Sequence, residues 1–306
     1  MGWGTFTSRD WSSYRASRGY TSASTVSDMY KASTVKKEME PYGITYRESC
    51  DSAEHPDSTP IILGLDVTGS MGSVLETVSK KLNTLIMEIY DREPVKDPQI
   101  MIMAFGDVEC DKHPLQVSQF ESDIRIAEQL NDVYFERGGG ANAGESYTLP
   151  WYFAARHTKI DSFDKRGRKG FLFTIGDEPY LTDVSKSAIR RFIGDSIEND
   201  LSADELLTEV SRQYEVYHLM IEEGYGMRGK HDEVVNKWTN LLGQRAVLVS
   251  DCTKIPEIIV SILEVAAGKD AEEIVGSWDG STAVAVGKAI HGLTAMDASE
   301  ELVTFS

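Results

Sequence analysis

Short apolar runs alternate along the chain with segments whose apolar residues recur every three or four positions. Each run is long enough for a strand that is buried on both faces, and the runs lie at residues 61–66, 100–105, 171–175, 216–221 and 246–249. The segments between them, such as 74–89, place their apolar residues on one face of a helix. This alternation predicts an α/β fold: a doubly wound, mostly parallel sheet flanked by helices.

The composition of the chain changes near residue 57. Residues 1–57 are rich in Ser, Thr and aromatic residues but poor in aliphatic ones, so they cannot build a core alone. We interpret them as an N-terminal arm that either lays its aromatic side chains on the main domain or orders on a partner. Residues 58–267 are predicted to form the α/β domain, and residues 268–306 a short C-terminal extension.

The net charge of the chain disfavours some classes of binding partner. The 306 residues include 31 Lys and Arg against 49 Asp and Glu, a formal net charge of −18. A chain this acidic repels phosphate groups, which disfavours binding to nucleic acid or to an anionic membrane. Three scattered cysteines, and the absence from the sequence of an apolar run of membrane-spanning length, predict a reduced, cytoplasmic protein.

Candidate chemistry lies in the loops that follow the predicted strands, because ligands of such sheets bind beyond the carboxyl ends of the strands. Asp66, Thr68 and Ser70 follow the first strand at alternating positions, and Asp177 follows the third. Few carboxylates combined with hydroxyl oxygens suit Mg²⁺ or Mn²⁺. The alternative is structural: Asp66 or Thr68 caps the next helix, and Asp177 belongs to an ordinary turn.

The sequence Asp66-x-Thr68-x-Ser70 resembles the Asp-x-Ser-x-Ser signature of von Willebrand factor A domains, with Thr in place of the first Ser. The resemblance covers about residues 60–266 and implies a metal-ion-dependent adhesion site. In such a site Thr68 and Ser70 would bind the metal through their hydroxyls, and Asp66 and Asp177 directly or through water. An acidic residue of a protein partner would complete the coordination.

The glycine-rich second loop departs from the pattern of that family, in which many members provide a Thr. Some relatives have Gly-Gly-Gly-Asp-x-x-Glu, and with one inserted residue Asn142 and Glu145 fall at the Asp and Glu positions. Asn142 is therefore the candidate ligand from this loop, although it lacks the charge of Asp.

These observations predict a binding module and not an enzyme, since the sequence offers no specific nucleophile–base pair. The resemblance implies a standalone intracellular protein of bacterial or phage type, with a MoxR-type AAA+ ATPase as a partner. One alternative is a structural or virion assembly protein that uses the fold without metal and makes its contacts through the arm. Another is a Mg²⁺-dependent phosphohydrolase, but Thr68 stands where a second carboxylate would be expected to act as general acid.

Overall fold

Ten strands and twelve α-helices make up the computed structural model of the protein, which describes residues 4, 6–21, 24–136, 138 and 144–295. The strands are β1 (Arg47–Ser49), β2 (Thr59–Asp66), β3 (Pro98–Phe105), β4 (Leu115–Val117), β5 (Thr158–Ile160), β6 (Gly170–Gly176), β7 (Asp183–Val184), β8 (Leu201–Ser202), β9 (Tyr214–Ile221) and β10 (Ala246–Val249). The helices are α1 (Ser8–Arg18), α2 (Val26–Met29), α3 (Val74–Arg92), α4 (Arg125–Asn131), α5 (Thr148–Arg156), α6 (Asp161–Arg166), α7 (Lys186–Phe192), α8 (Ala203–Val210), α9 (His231–Leu242), α10 (Ile255–Ala266), α11 (Ala271–Gly276) and α12 (Gly280–Ala289).

A six-stranded sheet in the order β10-β9-β6-β2-β3-β4 forms the centre of the molecule. All of its strands are parallel except β4, which pairs with β3 in the antiparallel direction. The first strand of this sheet, β2, lies in its middle. The chain then reaches one edge through β3 and β4, and the other edge through β6, β9 and β10. The predicted fold class, a doubly wound and mostly parallel sheet flanked by helices, is confirmed. The strand order of this sheet reverses between β2 and β6, and doubly wound sheets bind ligands at such a point.

Helices cover both faces of this sheet, and successive strand residues point to opposite faces. Ile61 and Leu63 of β2 lie in one apolar cluster, together with residues of α3 and α10. Ile62, between them, lies in a second cluster that contains Trp151 of α5 and Trp238 of α9. The near-continuous apolar sequence of the strands follows from this burial on both sides.

The N-terminal segment adds its aromatic side chains to the first of these clusters. Phe6, Tyr14 and Tyr30 are buried there, and the Tyr30 hydroxyl donates to the Ser79 carbonyl oxygen at 2.8 Å. Residues 8–18 form helix α1, which begins after the N-cap Thr7 and ends at a left-handed glycine. The segment is thus partly helical, and it packs on the rest of the chain. The domain boundaries at residues 57 and 267 stay predictions.

Two short helices follow α10 and pack against the same side of the molecule. Ile274 of α11 and Val286 of α12 are buried, and the Trp278 indole N–H donates to the Ser261 hydroxyl of α10 at 2.9 Å. Within the described ranges, no helix has both the length and the apolar character needed to cross a bilayer.

Candidate metal-binding site

The loop after β2 folds tightly around the Asp66 carboxylate. The backbone N–H of Thr68 donates to Asp66 Oδ1 at 2.9 Å, and the Thr68 hydroxyl donates to the same oxygen at 2.5 Å. The Thr68 and Ser70 hydroxyl oxygens are 2.9 Å apart. Asp66 and Thr68 are almost completely buried. The three side chains that the sequence singles out in this loop therefore meet at one point.

Asp177 joins them from the neighbouring strand. It follows β6, and its Oδ1 accepts a hydrogen bond from the Ser70 hydroxyl at 3.1 Å. Its other oxygen accepts the backbone N–H of Gly226 at 2.7 Å. Since β2 and β6 are paired in the sheet, the loops that follow them lie side by side. The side-chain oxygens of Asp66, Thr68, Ser70 and Asp177 thus form a continuous row, in which each oxygen lies within 3.1 Å of the next. Asn142, the remaining predicted ligand, lies outside the described residues.

Tyr147 supports the site from the start of α5, a role that its sequence context does not indicate. Its hydroxyl donates to Asp66 Oδ2 at 3.0 Å and accepts the backbone N–H of Glu178 at 3.2 Å. The ring packs edge-on against Phe105 and Trp238. Tyr147 therefore fixes the second Asp66 oxygen, and it links that oxygen to the segment that carries Asp177.

The glycines of the loop after β9 also belong to the site. A Cβ atom added to Gly224 would come within 2.3 Å of Asp177 Cβ, so only glycine permits this approach. Gly226 supplies the N–H that holds Asp177 Oδ2. The sequence did indicate this loop, because it follows a predicted strand and carries closely spaced glycines.

The two carboxylates carry charge that no neighbouring basic side chain offsets. Burial raises the pKa of Asp66, and the nearby Asp177 carboxylate raises it further. Burial likewise raises the pKa of Asp177. Among the described residues, neither carboxylate forms an ion pair with Lys, Arg or His. Because buried charge without compensation is costly, a bound cation would stabilise this arrangement.

The donor set fits a hard divalent cation through its oxygen atoms. Two carboxylates and two hydroxyls are ligands of the kind that Mg²⁺ and Mn²⁺ accept, with water in the remaining positions. In the part of the chain that the structure describes, no three His, Cys, Asp or Glu side chains converge as a metal-binding group. The Thr68 and Ser70 hydroxyls are therefore indispensable to this candidate site.

Glu145 brings a further carboxyl group to the same region. Its side chain is buried, and its Oε2 atom has no hydrogen-bond partner among the residues that the structure describes. Its backbone N–H donates to the Pro179 carbonyl oxygen at 2.9 Å. Burial raises the pKa of Glu145, and the Asp66 and Glu178 charges raise it further. The second loop thus places an acid near Asp66, with its backbone fixed to the segment that follows Asp177.

A similar turn elsewhere shows which part of the site is local structure. After β10, Asp251 Oδ1 accepts the backbone N–H of Thr253 at 2.9 Å and the Thr253 hydroxyl at 2.6 Å. Asp66 and Thr68 have the same arrangement, so an Asp-x-Thr turn by itself does not indicate a ligand. What the turn at Asp251 lacks in sequence is a Ser two residues after its Thr, where Ile255 stands.

Comparisons with known proteins give no family assignment. No protein-family model matches the chain, and no curated protein matches it. Similar solved structures include a von Willebrand factor type A protein from Catenulispora acidiphila, with 14% identity, 70% of this chain and 44% of that chain covered, and a TM-score of 0.40. Proximal thread matrix protein 1 from the mussel byssus has 10% identity, coverage of 72% and 49%, and a TM-score of 0.42.

A third similar structure is the conserved hypothetical protein BatB from Bacteroides thetaiotaomicron, with 15% identity, 53% of this chain and 66% of that chain covered, and a TM-score of 0.32. The chain therefore spans only part of the length of these proteins. With identities and TM-scores this low, the likenesses do not bear on what the chain binds.

Proposed function

We propose that this chain is a non-enzymatic protein-interaction module of the von Willebrand factor A type. It binds Mg²⁺ or Mn²⁺ and, through the cation, a carboxylate of a protein partner. The observation that carries the proposal is the row of side-chain oxygens from Asp66 through Thr68 and Ser70 to Asp177, each within 3.1 Å of the next. This row of oxygens crosses the point where the strand order reverses. The turn at Asp251 shows that an Asp-x-Thr turn forms without such a row.

The four side chains of this row would hold the cation in a metal-ion-dependent adhesion site. Asp66, Thr68, Ser70 and Asp177 are the proposed ligands, with Asn142 of the second loop as a further one. When bound, the cation supplies a positive centre that attracts one more carboxylate. Two carboxylate ligands neutralise a doubly charged ion but do not fill its octahedral coordination, so a position remains for a partner's carboxylate.

Binding is favoured over catalysis by the groups that surround Asp66. The side chains that donate to its carboxylate are the Thr68 and Tyr147 hydroxyls. A phosphohydrolase that used Asp66 as its nucleophile would need an acid at position 68. We therefore propose that the site recognises a ligand without turning it over.

The resemblance seen in the sequence supports two finer proposals. The partner is a MoxR-type AAA+ ATPase or a protein delivered to one, and the chain acts in the cytoplasm of a bacterium or in a phage-infected cell. Pull-down with and without chelator, followed by identification of the captured protein, tests the first of these.

Calorimetric titration with Mg²⁺ and Mn²⁺ tests the metal site itself. We expect saturable binding by the parent, loss of binding in Asp66→Ala and Asp177→Ala, and a melting temperature that rises with metal only where metal binds. Asp251→Ala is the matched control, because it removes the carboxylate of the similar turn and should leave metal affinity unchanged. Equal affinities of the parent and Asp66→Ala would contradict the proposal. Turnover of a generic phosphoester that disappears in Asp66→Ala would show an enzyme instead.

A further inference from the structure

One exposed aromatic side chain stands directly beside the candidate metal ligands. Tyr225, in the loop after β9, is 49% exposed. Its backbone N–H donates to the Ser70 carbonyl oxygen at 3.0 Å. The ring also lies close over Gly72, where an added Cβ would come within 2.3 Å of Tyr225 Cε2. The exposed ring is therefore held in place against the loop that carries Thr68 and Ser70.

One cation lies over this ring, and a second follows it in the chain. The Arg228 guanidinium lies 4.1 Å from the centre of the Tyr225 ring, and Lys230 follows two residues later. Among the described residues, neither Arg228 nor Lys230 forms a salt bridge, whereas Glu222 and Asp232 contact His231. Burial raises the pKa of Glu178, and the Lys230 charge acts against that rise. Two cations in the loop whose backbone bonds to Ser70 are notable in a chain whose net charge is −18.

These cations offset excess negative charge at the proposed site. Asp66, Asp177, Glu178 and Glu145 bring four carboxyl groups to this region, against the two charges of a divalent ion. An incoming carboxylate would meet repulsion unless further positive charge stood nearby. Arg228, which lies against the Tyr225 ring, and Lys230, whose charge acts on Glu178, supply that positive charge.

We propose that the loop of residues 222–230 is the specificity-determining surface of the site. It selects an acidic protein segment in which an aliphatic side chain stands next to the carboxylate that reaches the cation. The aliphatic group packs on the exposed Tyr225 ring while Arg228 and Lys230 attract the acidic segment. Fixed tyrosine and arginine side chains of this kind often dominate binding energy at interfaces. The inference rests on the proposed function, since it needs the cation in place.

Nuclear magnetic resonance of the full chain, with ¹³C-labelled tyrosine and saturating Mg²⁺, tests this surface. The probes are acetyl-Glu-Leu-amide, acetyl-Glu-Gly-amide and acetyl-Gln-Leu-amide. We expect the first probe to shift the Tyr225 ring signals, which Tyr225→Phe identifies, and to bind roughly fivefold more tightly than the glycine probe. The glutamine probe should not bind. The exposed rings of Tyr42 and Tyr46 serve as internal controls, and their signals should stay in place.

Substitutions distinguish the contribution of this loop to probe binding from that of the metal site. Tyr225→Ala should weaken acetyl-Glu-Leu-amide binding about fivefold and leave the calorimetric Mg²⁺ affinity unchanged. Arg228→Gln should weaken it about threefold, whereas Tyr42→Ala should change neither affinity.

Three results would overturn the inference. Mg²⁺-dependent binding of the probe with unmoved Tyr225 signals and unaltered affinity in Tyr225→Ala would reject the surface while the metal function stands. Equal Tyr225 shifts from inorganic phosphate would mean that the loop recognises anions in general. Absence of Mg²⁺ binding in calorimetry would show that the proposed function itself fails.

Discussion

The Ser70 hydroxyl donates to Asp177 Oδ1 across 3.1 Å, and these two residues are 107 positions apart in the chain. The bond joins the loop after β2 to the loop after β6, on either side of the point where the strand order reverses. The contact between Asp66 and Thr68 has a local explanation, because Asp251 and Thr253 repeat it in another turn. The bond between Ser70 and Asp177 has no such explanation, and it is the relationship that most sharply distinguishes a metal site from a turn.

Ser70→Ala should weaken Mg²⁺ binding by roughly 10- to 100-fold, because it removes a proposed ligand and releases Asp177 Oδ1. Calorimetric dissociation constants measure the effect. Thr253→Ala is the matched control, since it deletes a hydroxyl from the similar turn, and its Mg²⁺ affinity should equal that of the parent. If Ser70→Ala and the parent bind Mg²⁺ equally, Ser70 is not a ligand.

Gly224→Ala should disturb the same site from the other side. The new Cβ would lie 2.3 Å from Asp177 Cβ and 2.2 Å from its Oδ2, so the carboxylate or the loop has to move. We expect Mg²⁺ affinity to fall at least about tenfold and the free energy of unfolding to fall by about 1–3 kcal/mol.

Gly276→Ala provides the comparison for this substitution. Its Cβ would meet nothing within 4 Å, and the residue has no left-handed backbone conformation. Urea unfolding and calorimetry should therefore show near-parental values. An unchanged Mg²⁺ affinity in Gly224→Ala would mean that Asp177 takes no part in metal binding.

Much of the sheet was predictable because burial on both faces leaves a strong signal in the sequence. The apolar runs of β2, β3, β6, β9 and β10 all lie within the observed strands. The sequence does not predict strand β4, because it has three residues and so is too short to show a period. Its place depends on antiparallel pairing with β3, which is a tertiary contact.

The candidate site divides in a similar way. Asp66, Thr68 and Ser70 are close together in sequence, and Asp177 was found because parallel strands end at one edge of a sheet. Tyr147 gave no such signal, since it lies 81 residues from Asp66 and is one of several aromatic residues near the start of α5. Its role depends on how α5 packs, which the local sequence does not encode.

Stability should depend on pH through His218, which is buried in the core. Its Nδ1 lies 2.9 Å from the Thr174 hydroxyl oxygen, its Nε2 has no partner within the described residues, and its ring stacks on Trp238. Burial lowers the pKa of His218 well below its ordinary value of 6.5. Below pH 6.5 the His218 side chain is protonated in the unfolded chain but stays neutral in the folded chain. The stabilisation is therefore complete above pH 6.5 and decreases as the pH falls towards the folded-state pKa.

His218→Phe should remove this dependence. Urea unfolding between about pH 7.5 and pH 5 should show the parent losing up to about 1.4 kcal/mol per pH unit relative to the variant. Buried carboxyls change stability in the opposite sense, but they do so in both proteins, so the difference between the two proteins isolates His218. His231→Gln is a control of opposite sign, since contacts with Asp232 and Glu222 raise the pKa of His231. Parallel pH profiles for the parent and His218→Phe would contradict the prediction.

The N-terminal segment should unfold together with the sheet. Tyr30 is 8% exposed, its ring stacks on Phe135 at 4.6 Å, and its hydroxyl bonds the Ser79 carbonyl oxygen in α3. Tyr30→Ala should lower the free energy of unfolding by about 3 kcal/mol, as measured by urea denaturation followed by tryptophan fluorescence. Tyr42→Ala should change it by less than about 0.5 kcal/mol, because Tyr42 is 64% exposed. A segment that orders only on a partner would leave both variants at the parental value, whereas a large effect of Tyr30→Ala alone means that the segment is part of the folded core.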